Sequence, residues 1–297
     1  MRILISGANG QLGKELTRIL NTGFAEIGEI PCTLKNADII NTDVDNLDIT
    51  NINDVLSFVE NERPQVIINC SAFTNVDLCE TDKDTAFNVN SLGPRNLAIA
   101  AQKVNTKLIH ISTDYVFSGD GNEPYCEYDI CNPQSIYGKT KYLGEQYVKE
   151  FCSKYFIVRT SWLYGYEGNN FVKTIMNLAE QRESIKVVND QRGNPTNAND
   201  LAYHILKLVD SNEYGIYHCT GNGECSWYDF ACKIVEYANI NCEVMPCTTE
   251  EFPRPAKRPS YSSLNNMMLK NTIGDKMRFW RDALKNFIKN YEGVNRI

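Results

Sequence analysis

Three glycines, at positions 7, 10 and 13, follow directly on a short apolar run, Arg2-Ile-Leu-Ile-Ser6. They lead into Lys14-Glu-Leu-Thr-Arg-Ile-Leu20, where Leu16, Ile19 and Leu20 recur at helical spacing. This reads as strand, tight turn and helix, and it constrains the fold more than any other stretch of the chain. A turn without Cβ atoms lets an anion approach the backbone, and the unpaired N–H groups of the first helical turn point toward it. Gly7, Gly10 and Gly13 therefore outline a cradle for the pyrophosphate of a dinucleotide. The spacing is Gly-x-x-Gly-x-x-Gly rather than the simplest Gly-x-Gly-x-x-Gly fingerprint, and the glycines alone fit an ordinary strand-to-helix turn equally well.

The rest of the chain extends this pattern. Apolar extended segments near 2–6, 26–31, 66–70, 107–112, 155–159 and 185–188 alternate with helical spacing near 11–21, 52–60, 82–103, 135–151 and 170–181. Such alternation predicts an α/β fold, a Rossmann-type doubly wound parallel sheet with helices on both faces. Val66-Ile-Ile-Asn-Cys70 and Leu108-Ile-His-Ile-Ser112 are short and mostly apolar, as strands covered on two sides should be. Their carboxyl ends, Ser71-Ala72-Phe73 and Thr113-Asp114, fall at the crevice where open α/β sheets bind ligands. After about residue 165, Gly- and Asn-containing loops, a helix beginning near Trp227 and a Pro-rich stretch from Phe252 to Pro259 suggest a smaller mixed α/β lobe. Residues 1–165 are thus expected to form the dinucleotide-binding domain, receiving one more strand from 185–188, and 166–297 mainly a substrate-binding lobe. The segment from Phe279 to Ile288 has the spacing of an amphipathic closing helix.

Composition excludes several classes of function. The chain has 297 residues and a formal net charge of −7, which gives no basic field for nucleic acid or an anionic membrane. No apolar run approaches the roughly 18 residues of a spanning helix, and the amino terminus lacks a secretory pattern, so a cytoplasmic protein is expected. Eleven cysteines without a Cys-x-x-Cys, beside only three histidines, argue for reduced, partly buried thiols and against zinc.

Tyr137 and Lys141 stand four residues apart in Tyr137-Gly-Lys-Thr-Lys141. On a helix that spacing places both on one face. A phenol titrates near 10, and a neighbouring ammonium would lower that value and fit Tyr137 for general-acid work on a carbonyl. The motif is common: Tyr203-His-Ile-Leu-Lys207 repeats it, and there it reads as a lobe helix with a solvated lysine.

Taken together the motifs resemble the extended short-chain dehydrogenase/reductase family, and within it the dTDP-4-dehydrorhamnose reductases. The resemblance runs through Gly7-Ala-Asn-Gly-Gln-Leu-Gly13, Leu47-Asp-Ile-Thr50, Asn69-Cys-Ser-Ala-Phe-Thr-Asn-Val-Asp77, Asn88-Val-Asn90, Ser112-Thr-Asp-Tyr-Val-Phe117, Tyr137-Gly-Lys-Thr-Lys141, Arg159-Thr-Ser-Trp162 and Arg258-Pro-Ser-Tyr-Ser. It implies that Thr113, Tyr137 and Lys141 are catalytic: Tyr137 protonates a 4-keto oxygen as hydride arrives, Thr113 hydrogen-bonds that oxygen, and Lys141 holds the nicotinamide ribose and lowers the Tyr137 pKa. The cofactor would be held by Gly7, Gly10, Gln11, Leu12, Gly13, Asp48, Ile49, Ser71, Ala72, Phe73 and Asn90, together with Tyr137 and Lys141. Thr113, Asp114 and Trp162 would face the sugar, and Arg258 its diphosphate. The implied reaction is dTDP-4-dehydro-L-rhamnose to dTDP-L-rhamnose, supplying cell-surface polysaccharide. The same scaffold serves nucleotide-sugar epimerases and dehydratases, and a regulator resembling the methionine adenosyltransferase β subunit shares the Arg-Pro-x-Tyr-Ser pattern.

Two features depart from the family pattern. No acidic residue stands at the end of the second strand as read here, where Cys32-Thr33-Leu-Lys35 falls, so the cofactor is NADH or NADPH with a slight lean to NADH; Lys35 would favour NADPH weakly. Relatives can hold a divalent cation between glutamates at a dimer contact. Only Glu15 finds a counterpart here, which counts against a metal, while a homodimer stays compatible with the chain.

Overall fold

Ile3 and Ile5 leave the first strand on one side and Leu4 on the other, and all three are fully buried. A strand that hides both faces must lie inside a sheet covered by helices on each side. The structure, a computed structural model, describes residues 1–295; the last two residues of the range read as the substrate lobe lie outside it. The first half runs β1 (Arg2–Ser6), α1 (Gln11–Thr22), a hairpin of β2 (Phe24–Ala25) and β3 (Gly28–Glu29), β4 (Asp38–Thr42), α2 (Ile52–Glu62), β5 (Val66–Asn69), α3 (Val76–Thr81), α4 (Lys83–Phe87), α5 (Gly93–Lys103), β6 (Lys107–Thr113), α6 (Ile136–Phe151) and β7 (Tyr155–Thr160). The second half adds β8 (Leu163–Tyr164), α7 (Phe171–Gln181), β9 (Ser184–Val188), β10 (Arg192–Gly193), β11 (Thr196–Asn197), α8 (Ala198–Asp210), β12 (Gly215–His218), β13 (Cys225–Ser226), α9 (Trp227–Tyr237), β14 (Glu243–Cys247), α10 (Met267–Asn271) and α11 (Trp280–Asn295).

Six strands form one parallel sheet in the order β12-β7-β6-β5-β1-β4. From β1 the chain goes to β4 on one side and then to β5 on the other, and this reversal opens a crevice at the carboxyl ends of β1 and β5. One face of the sheet (Ile3, Ile5, Ile68, Ile109) packs on α1 and α8, and the opposite face (Leu4, Ile67, Leu108, Ile157) on α2, α5 and α6. A separate core joins Ile175, Ile185, Phe230, Trp280 and Phe287 in the lobe.

Several expectations need correction. The 26–31 segment is the β2–β3 hairpin, and the second sheet strand is β4. The 185–188 strand exists as β9 but pairs with β14 in the lobe, whereas the sheet's last strand is β12. The sheet therefore does not stop at residue 165: β12 joins it and α8 packs on it from beyond that point. Accordingly, Tyr203 is buried, and Lys207 is not fully solvated: its Nζ donates to the Ile273 carbonyl at 2.5 Å. Finally, the helix read over 82–103 is broken. Asn75 and Asp82 cap α3 and α4, and Asn88–Leu92 forms a π turn before α5.

That π turn packs on α6. Ser91 donates to the Thr140 carbonyl at 2.7 Å, and a Cβ on Gly144 would strike the Asn90 carbonyl oxygen. In an exposed helix Gly→Ala stabilises by roughly 1 kcal/mol. At Gly144 the collision with backbone should reverse the sign, so Gly144→Ala is expected to destabilise the fold by about 1–3 kcal/mol in urea titration. A stabilised variant would show that the two elements do not pack this closely.

Candidate active site

The site begins where β1 ends. Gly7 turns the chain at φ 71, and a Cβ there would lie 2.7 Å from the Ser71 backbone nitrogen, so only glycine lets the ends of β1 and β5 approach. Gly10 begins α1 without any side-chain cap, leaving the first backbone N–H groups of the helix suited to an anion. A cavity of about 380 Å³ opens beside this turn. Of the residues expected at a cofactor, Gly7, Gly10, Asp48, Ile49, Ser71, Ala72 and Phe73 line it. Four others do not. Gln11 accepts a hydrogen bond from Asn170 (2.9 Å), Leu12 is part of the core, and Gly13 packs so closely on Gly7 and Ala8 that a Cβ would collide with both. Asn90 is fully buried; its amide accepts from Phe73 N–H (2.8 Å) and donates to the Phe73 carbonyl (3.0 Å), so it fixes the loop that lines the cavity.

Thr113 ends β6, and Tyr137 and Lys141 lie in the first turns of α6, whose N-cap Ser135 accepts from the Gly138 N–H. The Tyr137 phenol and the Thr113 hydroxyl are neighbours, and Thr113 donates its own hydrogen bond to Asp114 at 2.9 Å. The expected lowering of the Tyr137 pKa by Lys141 is not what the structure has. Burial pushes the phenol well above its usual range, opposed mainly by Thr113. The Lys141 ammonium instead donates to the Ile111 carbonyl at 2.6 Å; burial lowers its pKa to about 8 against the opposing pull of Glu145. α6 also packs through Gly144 on Asn90, which holds Phe73 of the cavity wall, and this brings α6 up to the crevice.

Glu145, one turn beyond Lys141, is wholly buried. It accepts from Ser112 Oγ (2.5 Å) and pairs with Arg159 of β7 at 2.7 Å, while Arg159 also donates to Cys131 Sγ at 3.2 Å. Asn69 is hydrogen-bonded to His110 at 3.1 Å; Asn69, Ser112 and Arg159 fall within the motifs, but the buried pairings they make, and Glu145 itself, were not expected.

On the sugar side the expected residues are spread wider. Asp114 is buried beside Thr113, whose hydroxyl donates to it at 2.9 Å, and its second oxygen has no partner among the described residues. Arg258 pairs with Asp77 at 2.9 Å and reaches the Tyr115 hydroxyl at 3.3 Å; Tyr115 in turn packs edge-on against Tyr137. Trp162 takes a left-handed backbone, φ 46, which costs a bulky residue roughly 1–3 kcal/mol. Its indole lies flat on that of Trp227, ring centres 3.5 Å apart. Glu15, the one candidate cation ligand, is tied to Arg18 at 2.7 Å and to the Asn199 amide, a donor set that already satisfies its charge.

The residue most clearly missed is Asp43. It lies just past β4 on the cavity wall and accepts from the Asn9 N–H at 3.1 Å. The signal was the Ile39-Ile40 pair ahead of it, passed over when the second strand was placed at 26–31. Lys35 lies elsewhere, paired with Glu29 at 3.0 Å.

Burial raises the Asp114 pKa from 3.8 to about 6, opposed by the nearby Ser262 and Thr113 hydroxyls. A carboxyl whose folded pKa is raised loses stability as pH climbs from the unfolded value through the folded one. Between pH 4 and 7 wild type should therefore lose about 3 kcal/mol relative to Asp114→Asn, read from urea unfolding at each pH. A constant difference between the two proteins would remove this assignment.

Comparison with known proteins agrees with this arrangement. A family model described as "RmlD substrate binding domain" matches residues 1–292. The dTDP-4-dehydrorhamnose reductase of Clostridium acetobutylicum ATCC 824, a solved structure, is 51% identical, with a TM-score of 0.93 and 98% and 100% of the two chains covered. The enzyme of the same name from Bacillus anthracis str. Ames, solved in complex with NADP, is 47% identical, with a TM-score of 0.91 and 97% and 99% covered. The dTDP-4-dehydrorhamnose reductase of Aggregatibacter actinomycetemcomitans is 39% identical, covering 96% of this chain and 97% of that one. With a doubly wound sheet, a glycine-turned crevice and the Thr113–Tyr137–Lys141 cluster beside it, the chain belongs to the dTDP-4-dehydrorhamnose reductase family.

Proposed function

We propose that this is a cytoplasmic reductase that converts dTDP-4-dehydro-L-rhamnose to dTDP-L-rhamnose at the expense of NADH. The observation that carries the reading is the gathering of Tyr137 and Lys141 of α6 at the end of β6 that carries Thr113, with Lys141 bonded to Ile111 and Tyr137 packed on Tyr115, beside a glycine-turned cavity whose walls suit a dinucleotide. The uncapped start of α1 and the close approach at Gly7 fit a pyrophosphate, with Ser71, Ala72 and Phe73 beside it and Asp48 and Ile49 at the adenine end.

When bound, the reduced nicotinamide supplies hydride to the carbonyl carbon. Tyr137 then gives its proton to the carbonyl oxygen, so that C=O, hydride and proton together yield the secondary alcohol. Burial keeps the phenol protonated, the state from which a general acid must start. The Thr113 hydroxyl steadies the phenolate left behind, and Lys141, on the same helix face, binds the ribose and adds a positive charge. Thr113, Asp114 and Trp162 orient the sugar, and Arg258 meets the diphosphate once released from Asp77. An epimerase, dehydratase or purely regulatory role has no comparable support in this site.

Tyr137→Phe should retain NADH binding and lose about three orders of magnitude in turnover, within the range for general-acid catalysis, followed as NADH absorbance with dTDP-4-dehydro-L-rhamnose. Unchanged turnover would take Tyr137 out of the mechanism.

NADH is favoured over NADPH because Asp43 and Asp48 stand on the cavity wall and, among the described residues lining it, there is no Lys or Arg. A carboxylate can accept from the ribose hydroxyl but repels a 2′-phosphate. The Bacillus anthracis relative was solved with NADP, so the comparison must be made side by side. Asp43→Asn should raise the ratio of kcat/KM for NADPH over NADH about tenfold, equivalent to ~1.4 kcal/mol; an unaltered ratio would acquit Asp43.

A further inference from the structure

Trp162 cannot hold its place alone. It lies two residues beyond Thr160, which pairs in register with Thr113 across β6 and β7, so its backbone is set by the strand end that also carries the reacting groups. Its φ of 46 is one that bulky side chains avoid. Two contacts oppose the return to an ordinary conformation. The indole of Trp227 covers one face, ring centres 3.5 Å apart and planes within 9° of parallel. Gly193 approaches the indole so closely that a Cβ there would lie 2.7 Å from Trp162 Cε2.

Trp227 itself is held from the lobe. It opens α9, behind a capping box formed by Ser226 and Asp229, and its ring also packs on Phe171 at 4.4 Å. We infer that Trp227 is a positioning residue for the nucleotide sugar: it fixes the strained Trp162 indole against the substrate and so transmits the placement of α9 to the sugar site. Trp227 need not touch the substrate to do this. The inference rests on the reading of Trp162 as a sugar-facing residue of a nucleotide-sugar reductase.

The chain contains three tryptophans, and the third, Trp280, packs on Phe230 instead. An exciton couplet in the far-ultraviolet circular dichroism is therefore expected from the Trp162–Trp227 pair, and it should vanish in Trp227→Phe and Trp227→Ala alike. Steady-state kinetics with NADH and dTDP-4-dehydro-L-rhamnose then separate positioning from general damage. Trp227→Ala should raise KM for the sugar about tenfold with the Kd of NADH unchanged, and Trp227→Phe, which can still stack, should restore most of the loss. If Trp227→Ala does not fold, Gly193→Ala is the second variant; its Cβ would crowd Trp162 Cε2, so it should raise the sugar KM and weaken the couplet. An unchanged sugar KM in these variants, a parallel rise in the Kd of NADH, or a wild-type spectrum without a couplet would each overturn the inference. A wild-type protein that shows the couplet but does not oxidise NADH with this sugar would instead refute the assigned reaction. The positioning role is then decided by titrating the couplet with dTDP-L-rhamnose: a response in wild type that is lost in Gly193→Ala supports it, and an inert couplet overturns it.

Discussion

Glu145 and Arg159 meet inside the protein with almost no contact with water. A buried charge of either sign is expensive, and removing one partner of such a pair commonly costs 3–5 kcal/mol because the other is left uncompensated. Here the cost is offset by two contacts between the side chains, at 2.9 and 2.7 Å, and by the hydrogen bond from Ser112. The geometry matters more than the net energy. The pair ties α6 to β7, and Ser112 ties it to β6, so the helix carrying Tyr137 and Lys141 is pinned to the strand carrying Thr113. The three chemical groups therefore share one rigid frame, while the cavity wall is built from loops after β1, β4 and β5.

Much of this was legible in the residues, for a physical reason. The inner strands β1, β5, β6 and β7 are covered on both faces, and burial writes itself into sequence as unbroken apolar runs. The two outer strands carry a weaker mark. Asp38-Ile-Ile-Asn-Thr42 and Gly215-Ile-Tyr-His218 each pair on one side only, and both include exposed or half-buried positions. Both escaped notice, and with β4 went Asp43. The run at 185–188 is a strand as expected, but periodicity says nothing about a strand's partner, and β14 claims it.

The candidate site divides along the same line. Residues that line the cavity through backbone or turn geometry, such as Gly7 and Ser71, follow from the order of motifs. The behaviour of Tyr137 and Lys141 does not, because helical spacing sets their face and leaves desolvation out of account. The pairings of Arg258 with Asp77 and of Trp162 with Trp227 join residues far apart in the chain, and no local pattern encodes them.

The π turn at Asn88–Leu92 carries a further consequence. A wide turn holds one residue more than α-helical winding would, and each surplus residue in a continuous helix rotates everything after it by about 100°. The bulge absorbs that rotation, so the apolar face of α5 stays on the sheet while Asn90 is turned inward to the Phe73 loop. Chain length and side-chain identity are thus separate controls in this segment: removal of a single residue would restore regular winding and leave α5 able to pack, yet swing the amide away from the loop it holds.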